Sequence, residues 1–232
     1  MVKWDDLKEG EIGPKMEYGP LTRNEFVIYA NAGGDTNPIH QDYMAAVRAG
    51  NKGIIAHGLY SHAMIGKMLT DWVEADNVVS YNGRMLGMTR PSDIIYFQGI
   101  ITKKYETNGK KLVDMDIKVI TKTYYLRGEA KSDPSISDED ILKKLAKGKI
   151  KVDIDFNLAG TKSHKVSFEA ADIEVNPKRI TGEEPLIRNW YRDGKDVLSA
   201  ELLGKRKKGN FWFGIIRLRN SIVGKATVAI PE

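Results

Sequence analysis

The stretch Ile54–Val73, IIAHGLYSHAMIGKMLTDWV, decides how the rest of the chain is read. Wound at a helical period, Ile54, Ile55, Leu59, Met64, Ile65, Met68, Leu69 and Trp72 spread over nearly its whole circumference. A helix that is apolar all round is a buried one, so Ile54–Val73 is expected to be a central core helix. Beyond it the period changes to two. Val78–Leu86 and Ile94–Tyr105 read as strands, and Thr107-Asn108-Gly109-Lys110 reads as a hairpin turn. Val113, Met115, Ile117 and Val119 alternate with Asp114, Asp116 and Lys118, the pattern of a half-buried antiparallel strand. Tyr124–Ala130 reads as a further strand. One central helix followed by a run of antiparallel strands is an α+β pattern, with the sheet wrapped on the helix.

Upstream, Met1–Tyr18 is a polar lead-in with a short strand near Lys15–Tyr18. Thr22 and Glu25 are spaced as a capping box and Leu21 and Phe26 as its hydrophobic staple, so a helix begins there. Gly33-Gly34 stops it. Pro38 forces Asn37 out of the helical region and fixes a bend that presents His40. A short helix about Asp42–Ala49 then ends at Gly50. The segment Gly34–His40 thus sets a carboxylate, Asp35, and an imidazole, His40, on either side of an Asn-Pro bend. Gly58 offers a backbone N–H where the apolar helix opens, without a side chain to hinder approach. An acid/base pair beside such a terminus is the minimum equipment for proton chemistry next to a carbonyl. Taken singly, Asp35 and His40 also suit a helix stop and a turn. Asn37 suits either an ordinary turn or a loop bond that holds His40. Ser61, one turn on from His57, suits either substrate contact or packing.

Downstream, Ser132-Asp133-Pro134-Ser135 marks a boundary, dividing the chain into 1–134 and a β-rich extension, 135–232. Ser137 and Asp140 are placed to cap a charged helix over Asp138–Lys147. Val152, Ile154 and Phe156 alternate with polar neighbours, and Arg192-Asp193-Gly194-Lys195 reads as a hairpin turn. Phe211–Leu218 and Ile222–Ile230 close the chain as strands. No full-length internal repeat is visible.

Composition narrows the function classes. The absence of cysteine excludes disulfides, thiolate metal sites and a cysteine nucleophile, and fits a cytoplasmic setting. No apolar run approaches the roughly 20 residues that a membrane span needs, and Met1-Val2-Lys3-Trp4-Asp5-Asp6 has no apolar leader, so no membrane partner is expected. A net charge of +5 suits anionic partners such as nucleotides.

Tyr29, Gly33, Gly34, Asp35, Asn37, Pro38, Ile39, His40 and Ala46 together resemble the signature of the MaoC-like, (R)-specific enoyl-CoA hydratases, or hydratase 2. That signature runs aromatic, small, Gly-Asp-x-Asn-Pro-aliphatic-His, then a small residue six positions on. Ala56-His57-Gly58 resembles the family's entry to its central helix. The resemblance covers roughly the first 130 residues. It implies a hot-dog fold, a curved antiparallel sheet around one long helix, in line with the pattern reading. It implies that Asp35 and His40 are the catalytic acid and base, adding water to a trans-2-enoyl-CoA in a syn sense to give the (R)-3-hydroxyacyl product. Gly58 would supply the oxyanion donor, and Asn37 and Ser61 would support the site or touch substrate. No cofactor or metal is implied beyond the coenzyme A of the substrate. A dimer, with an identical or a different hot-dog subunit, is the expected way to cover sheet edges. The chain departs from the family in the loop before Ile94, where a glycine usually precedes an aspartate; here it reads Arg90-Pro91-Ser92-Asp93. Ile222–Val228 is similar to a closing hot-dog strand, so the C-terminal region suits a partial second hot-dog without its own central helix.

Other readings are open. His57 and His62 are five apart, whereas helical chelating pairs sit four apart, so they are expected to be core or dimer-contact histidines and not metal ligands. Lys205-Arg206-Lys207-Lys208 with Phe211, Trp212 and Phe213 is expected to be a solvated hairpin over packed aromatics. A nucleic-acid module or a coenzyme A phosphate site is the alternative there. A related hot-dog lyase or a thioesterase using the same carboxylate is the enzymatic alternative, and a non-catalytic hot-dog subunit is the alternative from another class.

Overall fold

The computed structural model describes residues 2–51, 53–156, 162–178 and 198–231. The chain divides into two compact units, Met1–Lys122 with Arg219–Glu232, and Thr123–Leu218. The division therefore falls elsewhere than at 134, because the last strand of the chain returns to the first unit.

In the first unit the helices are α1 (Arg23–Gly33), α2 (Tyr43–Arg48) and α3 (Gly58–Val73). Its strands are β1 (Ile12–Tyr18), β2 (Val78–Met85), β3 (Ile94–Thr107), the first part of β4 (Lys110–Lys131) and the last part of β9 (Asn210–Ile230). Their order across the sheet is β1-β3-β4-β9-β2. Ile65, Met68, Leu69 and Val73 of α3 pack into one core with Ile95, Phe97 and Ile101 of β3, Val113, Met115 and Ile117 of β4, and Ile222, Ala226 and Val228 of β9. This is the expected hot-dog arrangement, an antiparallel sheet about α3. Two side-chain bonds tie β9 to β4 here, Thr227 Oγ1 donating to Asp114 Oδ1 at 2.8 Å and Ser221 Oγ to Val119 O at 3.3 Å.

Local sequence accounts for much of this. Thr22 Oγ1 accepts from Glu25 N while Glu25 accepts from Thr22 N, so the capping box forms, and Gly34 ends α1 in the left-handed region at φ 71°. Leu21 and Phe26, the residues of the staple, are both buried in the core. Asn108 and Gly109 both take positive φ, 50° and 73°, the twist that a two-residue hairpin needs between β3 and β4. Glu25 also accepts from Tyr18 and Tyr60 hydroxyls. Burial pushes its carboxyl up, but the bonds from Tyr18, Thr22 and Tyr60 outweigh this and hold it below the usual range.

Ser92 explains the departure from the family's glycine. Its φ is 65°, the left-handed region in which a glycine is at ease, and its N–H donates to Leu21 O at 2.6 Å. For a residue with a Cβ this conformation costs about 1–2 kcal/mol, and glycine loses part of that gain through its freer unfolded chain. Ser92→Gly is expected to stabilise the protein by about 0.5–1 kcal/mol, raising Tm by about 1–4 °C. A thermal melt checks it, and a lowered Tm would show that the Ser92 hydroxyl outweighs the backbone strain.

Four expectations need correction. The central helix starts at Gly58, not Ile54, because the backbone of 54–57 is bonded elsewhere: Ile55 N donates to Ile39 O at 3.3 Å and Ala56 N to Thr89 O at 2.8 Å. Nor is it buried on every side, since Leu59 is 66% exposed. The strands expected at Val113–Val119 and Tyr124–Ala130 are one strand, β4, since no turn residue interrupts Ile120-Thr121-Lys122-Thr123. Phe211–Leu218 and Ile222–Ile230 likewise belong to the single strand β9.

In the second unit, β7 (Glu174–Lys178) pairs with the end of β4 and β8 (Ser199–Leu202) with the start of β9. The hairpin of β5 (Lys149–Phe156) and β6 (Lys162–Glu169) forms its own two-stranded sheet. Helix α4 spans Asp138–Lys147, with Ser137 accepting from Asp140 N as its cap. Ile141 and Leu145 of α4 are buried with Leu126, Phe168, Phe211 and Phe213. No central helix like α3 occurs among its described residues. The Arg192–Lys195 turn lies outside the described residues. Among those described, no helix is long and apolar enough to cross a membrane.

Candidate active site

The site is built where the end of α1, the Asn-Pro bend and the start of α3 meet. Gly34 turns the chain out of α1, and Asp35 follows it with its side chain 58% exposed. Its Oδ1 accepts from Asn37 N at 3.3 Å, which fixes the carboxylate against its own loop. Asn37 Oδ1 in turn accepts from Ile39 N at 3.2 Å and caps the 3-10 turn Pro38–His40. Asn37 thus holds the loop on which His40 sits.

His40 is 8% exposed. Its Nδ1 lies 2.8 Å from Ile55 O, and a carbonyl can only accept, so Nδ1 carries the proton. In the neutral ring Nε2 is then the lone-pair nitrogen, available as a base. The extended segment 54–57 that displaced the first helical turn is therefore what orients the imidazole. Ala46, the small residue of the signature, is fully buried in α2.

Gly58 is the first residue of α3 and is exposed. The N–H groups of a first helical turn lack intrahelical acceptors, and His57 provides no side-chain cap. A Cβ at Gly58 would stand 3.1 Å from Sδ and Cε of Met85, a flexible side-chain tip. Ser61 is buried, 4% exposed, with Oγ 3.3 Å from Thr89 Oγ1.

His57, which the sequence reads as a core or dimer-contact histidine, lies beside both Asp35 and His40. It is 2% exposed, its ring is stacked on His40 with centroids 3.7 Å apart, and its Nε2 lies 3.0 Å from Asp35 O and 3.9 Å from Asp35 Oδ2. Tyr29, the aromatic of the signature, covers the ring at 5.1 Å. The spacing to His62 hid this, since His57 meets partners from elsewhere in the chain. His62 stacks on Tyr81 instead, at 4.9 Å. The signal for His57 was its place directly before Gly58.

Asp35, His40 and His57 each offer an atom within 4.8 Å of the others. The arrangement does not suit joint metal ligation. Imidazole lone pairs lie in the ring plane, and these planes incline by only 26°, so they run side by side and do not meet at one ion. His40 Nδ1 and His57 Nε2 are moreover already engaged with backbone carbonyls.

In the second unit, Arg206 of the basic run is held by Ile136 O at 2.6 Å, Asp138 Oδ1 at 3.0 Å and Asp133 O at 3.0 Å. Phe211 and Phe213 are buried and Trp212 is 46% exposed. The hairpin thus has one anchored arginine and packed aromatics beneath it. A cavity of about 620 Å³ opens beside it, lined among others by Lys131, Lys205, Lys207, Glu129, Glu174 and Trp212. Size does not make it a reaction site, since its lining mixes lysines and glutamates without a histidine.

The MaoC like domain model matches residues 10–124. Over 124 residues the chain is 29% identical to the fatty acid synthase subunit beta of Saccharomyces cerevisiae, which takes in 52% of this chain and only 6% of that protein. Among solved structures, the (R)-hydratase from A. caviae involved in PHA biosynthesis aligns with 48% of this chain and 85% of its own, at 17% identity and a TM-score of 0.41. R-hydratase PhaJ1 from Pseudomonas aeruginosa aligns with 78% of this chain and 92% of its own, at 19% identity and a TM-score of 0.43. At these scores the fold rests on the strand order and core described above. Residues 10–124 of the chain are thus a MaoC-like domain.

Proposed function

We propose that the chain adds water reversibly to a trans-2-enoyl-CoA, giving an (R)-3-hydroxyacyl-CoA. The observation that carries this reading is the oriented pair. His40 donates through Nδ1 and so keeps a lone pair on Nε2, and Asp35, pinned by Asn37, offers a carboxylate oxygen within 4.8 Å of a ring nitrogen of His40. The MaoC like domain match over residues 10–124 supports the reaction class.

His40 Nε2 takes a proton from water as the hydroxyl adds to the β-carbon. The carbonyl oxygen gains negative charge, which the Gly58 N–H at the start of α3 stabilises. The proton passes from His40 to the Asp35 carboxylate and on to the α-carbon, which restores the pair, and in the dehydration direction the roles exchange. The chemistry needs no electron carrier, and no step is assigned to a metal. The strands β1 and β2 end the sheet of the first unit, and a second hot-dog subunit, identical or different, is proposed to cover one of these edges.

The test is incubation with crotonyl-CoA and longer enoyl-CoAs, with product analysis. The hydratase reading expects loss of the conjugated-thioester absorbance with a 3-hydroxyacyl-CoA as product. Release of free coenzyme A thiol without that product would favour a thioesterase, and an inert protein at every chain length would end the reading for these substrates.

A further inference from the structure

We infer that His57 is the positioning residue of the acid/base pair, through the bond from its Nε2–H to the backbone oxygen of Asp35. The inference rests on the assignment of Asp35 and His40 above. One buried ring touches both members of that pair, stacking on His40 at 3.7 Å and reaching Asp35 O at 3.0 Å. Among the described residues, Asp35 is otherwise held by its own loop, through Asn37 N. The His57 bond fixes the peptide plane that follows Asp35, and with it the direction in which the exposed carboxylate leaves the backbone.

The other nitrogen of His57 makes the case. Because Asp35 O can only accept, Nε2 carries the proton and Nδ1 of the neutral ring is a lone-pair acceptor. Nδ1 is buried and has no hydrogen-bond partner among the described residues. A buried polar atom without a partner is costly and asks for a reason. Packing alone supplies none, since a phenylalanine would fill the space between Tyr29 and His40 with no unpartnered atom. The fold keeps a ring with one idle nitrogen because the other does a job that no hydrocarbon can do.

Two substitutions separate the bond from the stack. His57→Phe keeps a ring against His40 and removes the donor. His57→Gln keeps an N–H near the position of Nε2 and removes the ring. Displacing a reacting group by about 1 Å costs on the order of 100-fold in rate. The expected result for His57→Phe is a kcat lower by that order with KM for the enoyl-CoA essentially unchanged. Its Tm should equal or exceed that of the wild type, because the unpartnered nitrogen is gone. His57→Gln should recover most of kcat. Wild-type kcat in His57→Phe, or an equal loss in both variants with the fold intact, would overturn the inference.

A second measurement does not depend on turnover. The chain has four histidines, so nitrogen-15 spectra of the histidine-labelled full chain can be assigned by single substitutions. His57 is expected as the Nε2–H tautomer with a slowly exchanging proton, and His40 as the Nδ1–H tautomer. A His57 protonated at Nδ1 overturns the positioning role even in an active enzyme. An inert wild type with the expected His57 tautomer would instead count against the hydratase reading alone.

Discussion

Asp35→Asn and His40→Ala are each expected to lower kcat/KM for hydration of a short enoyl-CoA by about 100- to 10,000-fold, the range that a positioned acid or base contributes. The two differ in what else they disturb. Asp35→Asn keeps a side-chain oxygen to accept from Asn37 N, and the position is largely in solvent, so stability should hardly change. His40→Ala also removes the bond to Ile55 O, which costs about 1 kcal/mol. A lowered Tm with lost activity is thus expected for His40→Ala, and lost activity at unchanged Tm for Asp35→Asn. Because the pair acts on one water, the double variant should fall little below the single ones. Full activity in Asp35→Asn would remove the carboxylate from the mechanism.

Gly224→Ala is expected to be the most damaging small substitution in the first unit. Gly224 of β9 faces Gly83 of β2 across the antiparallel pair. A Cβ at 224 would stand 2.0 Å from the Asn82 carbonyl oxygen, a backbone atom that cannot swing aside. At Gly83 a Cβ would likewise meet Ile222 Cγ2 at 2.8 Å and His62 Cδ2 at 3.2 Å. The two glycines let β2 lie close on β9 beside α3. Forcing them apart goes beyond ordinary overpacking, and a loss of about 3 kcal/mol or more is expected. Urea unfolding measures it. Gly10→Asn is the control, since a Cβ at Gly10 meets nothing within 4 Å and asparagine tolerates its φ of 87°. A Gly224→Ala protein as stable as the wild type would contradict the β2–β9 register.

What could be read from the sequence is what short-range chemistry decides. The capping box of Thr22 and Glu25, the stop at Gly34, the Asn108-Gly109 turn and the Ser137-capped helix all form where they were expected, because each is settled within four or five residues. What could not be read depends on distant partners. Ile54–His57 has the composition of the helix that follows, yet the backbones of Ile39 and Thr89 draw it into an extended form. The breaks expected inside β4 and β9 rested on lapses of the two-residue period, and a lapse marks burial on both faces as readily as a turn: Thr123, Tyr124, Tyr125 and Leu126 are all buried. The return of Arg219–Glu232 to the first unit is a long-range pairing that no local pattern carries.

The site divides in the same way. The nearness of Asp35, Asn37 and His40 is legible because one bend holds them. Gly58 is legible as the opening of a helix, and it is that helix's first residue. Ser61 is buried and bonded to Thr89, the packed placement that the sequence also allows. His57, five residues from His62, shows no partner in the local sequence. Its real partners, Asp35 and His40, come from a loop some twenty residues earlier.

The central claim is that Asp35 and His40 serve one face of the enoyl group from a common water, and hydration of a trans-2-enoyl-CoA in deuterium oxide tests it most directly. The account predicts an (R)-3-hydroxyacyl-CoA with a single deuterium at the α-carbon, added to the same face as the hydroxyl. Deuterium on the opposite face, or the (S)-alcohol, would contradict it.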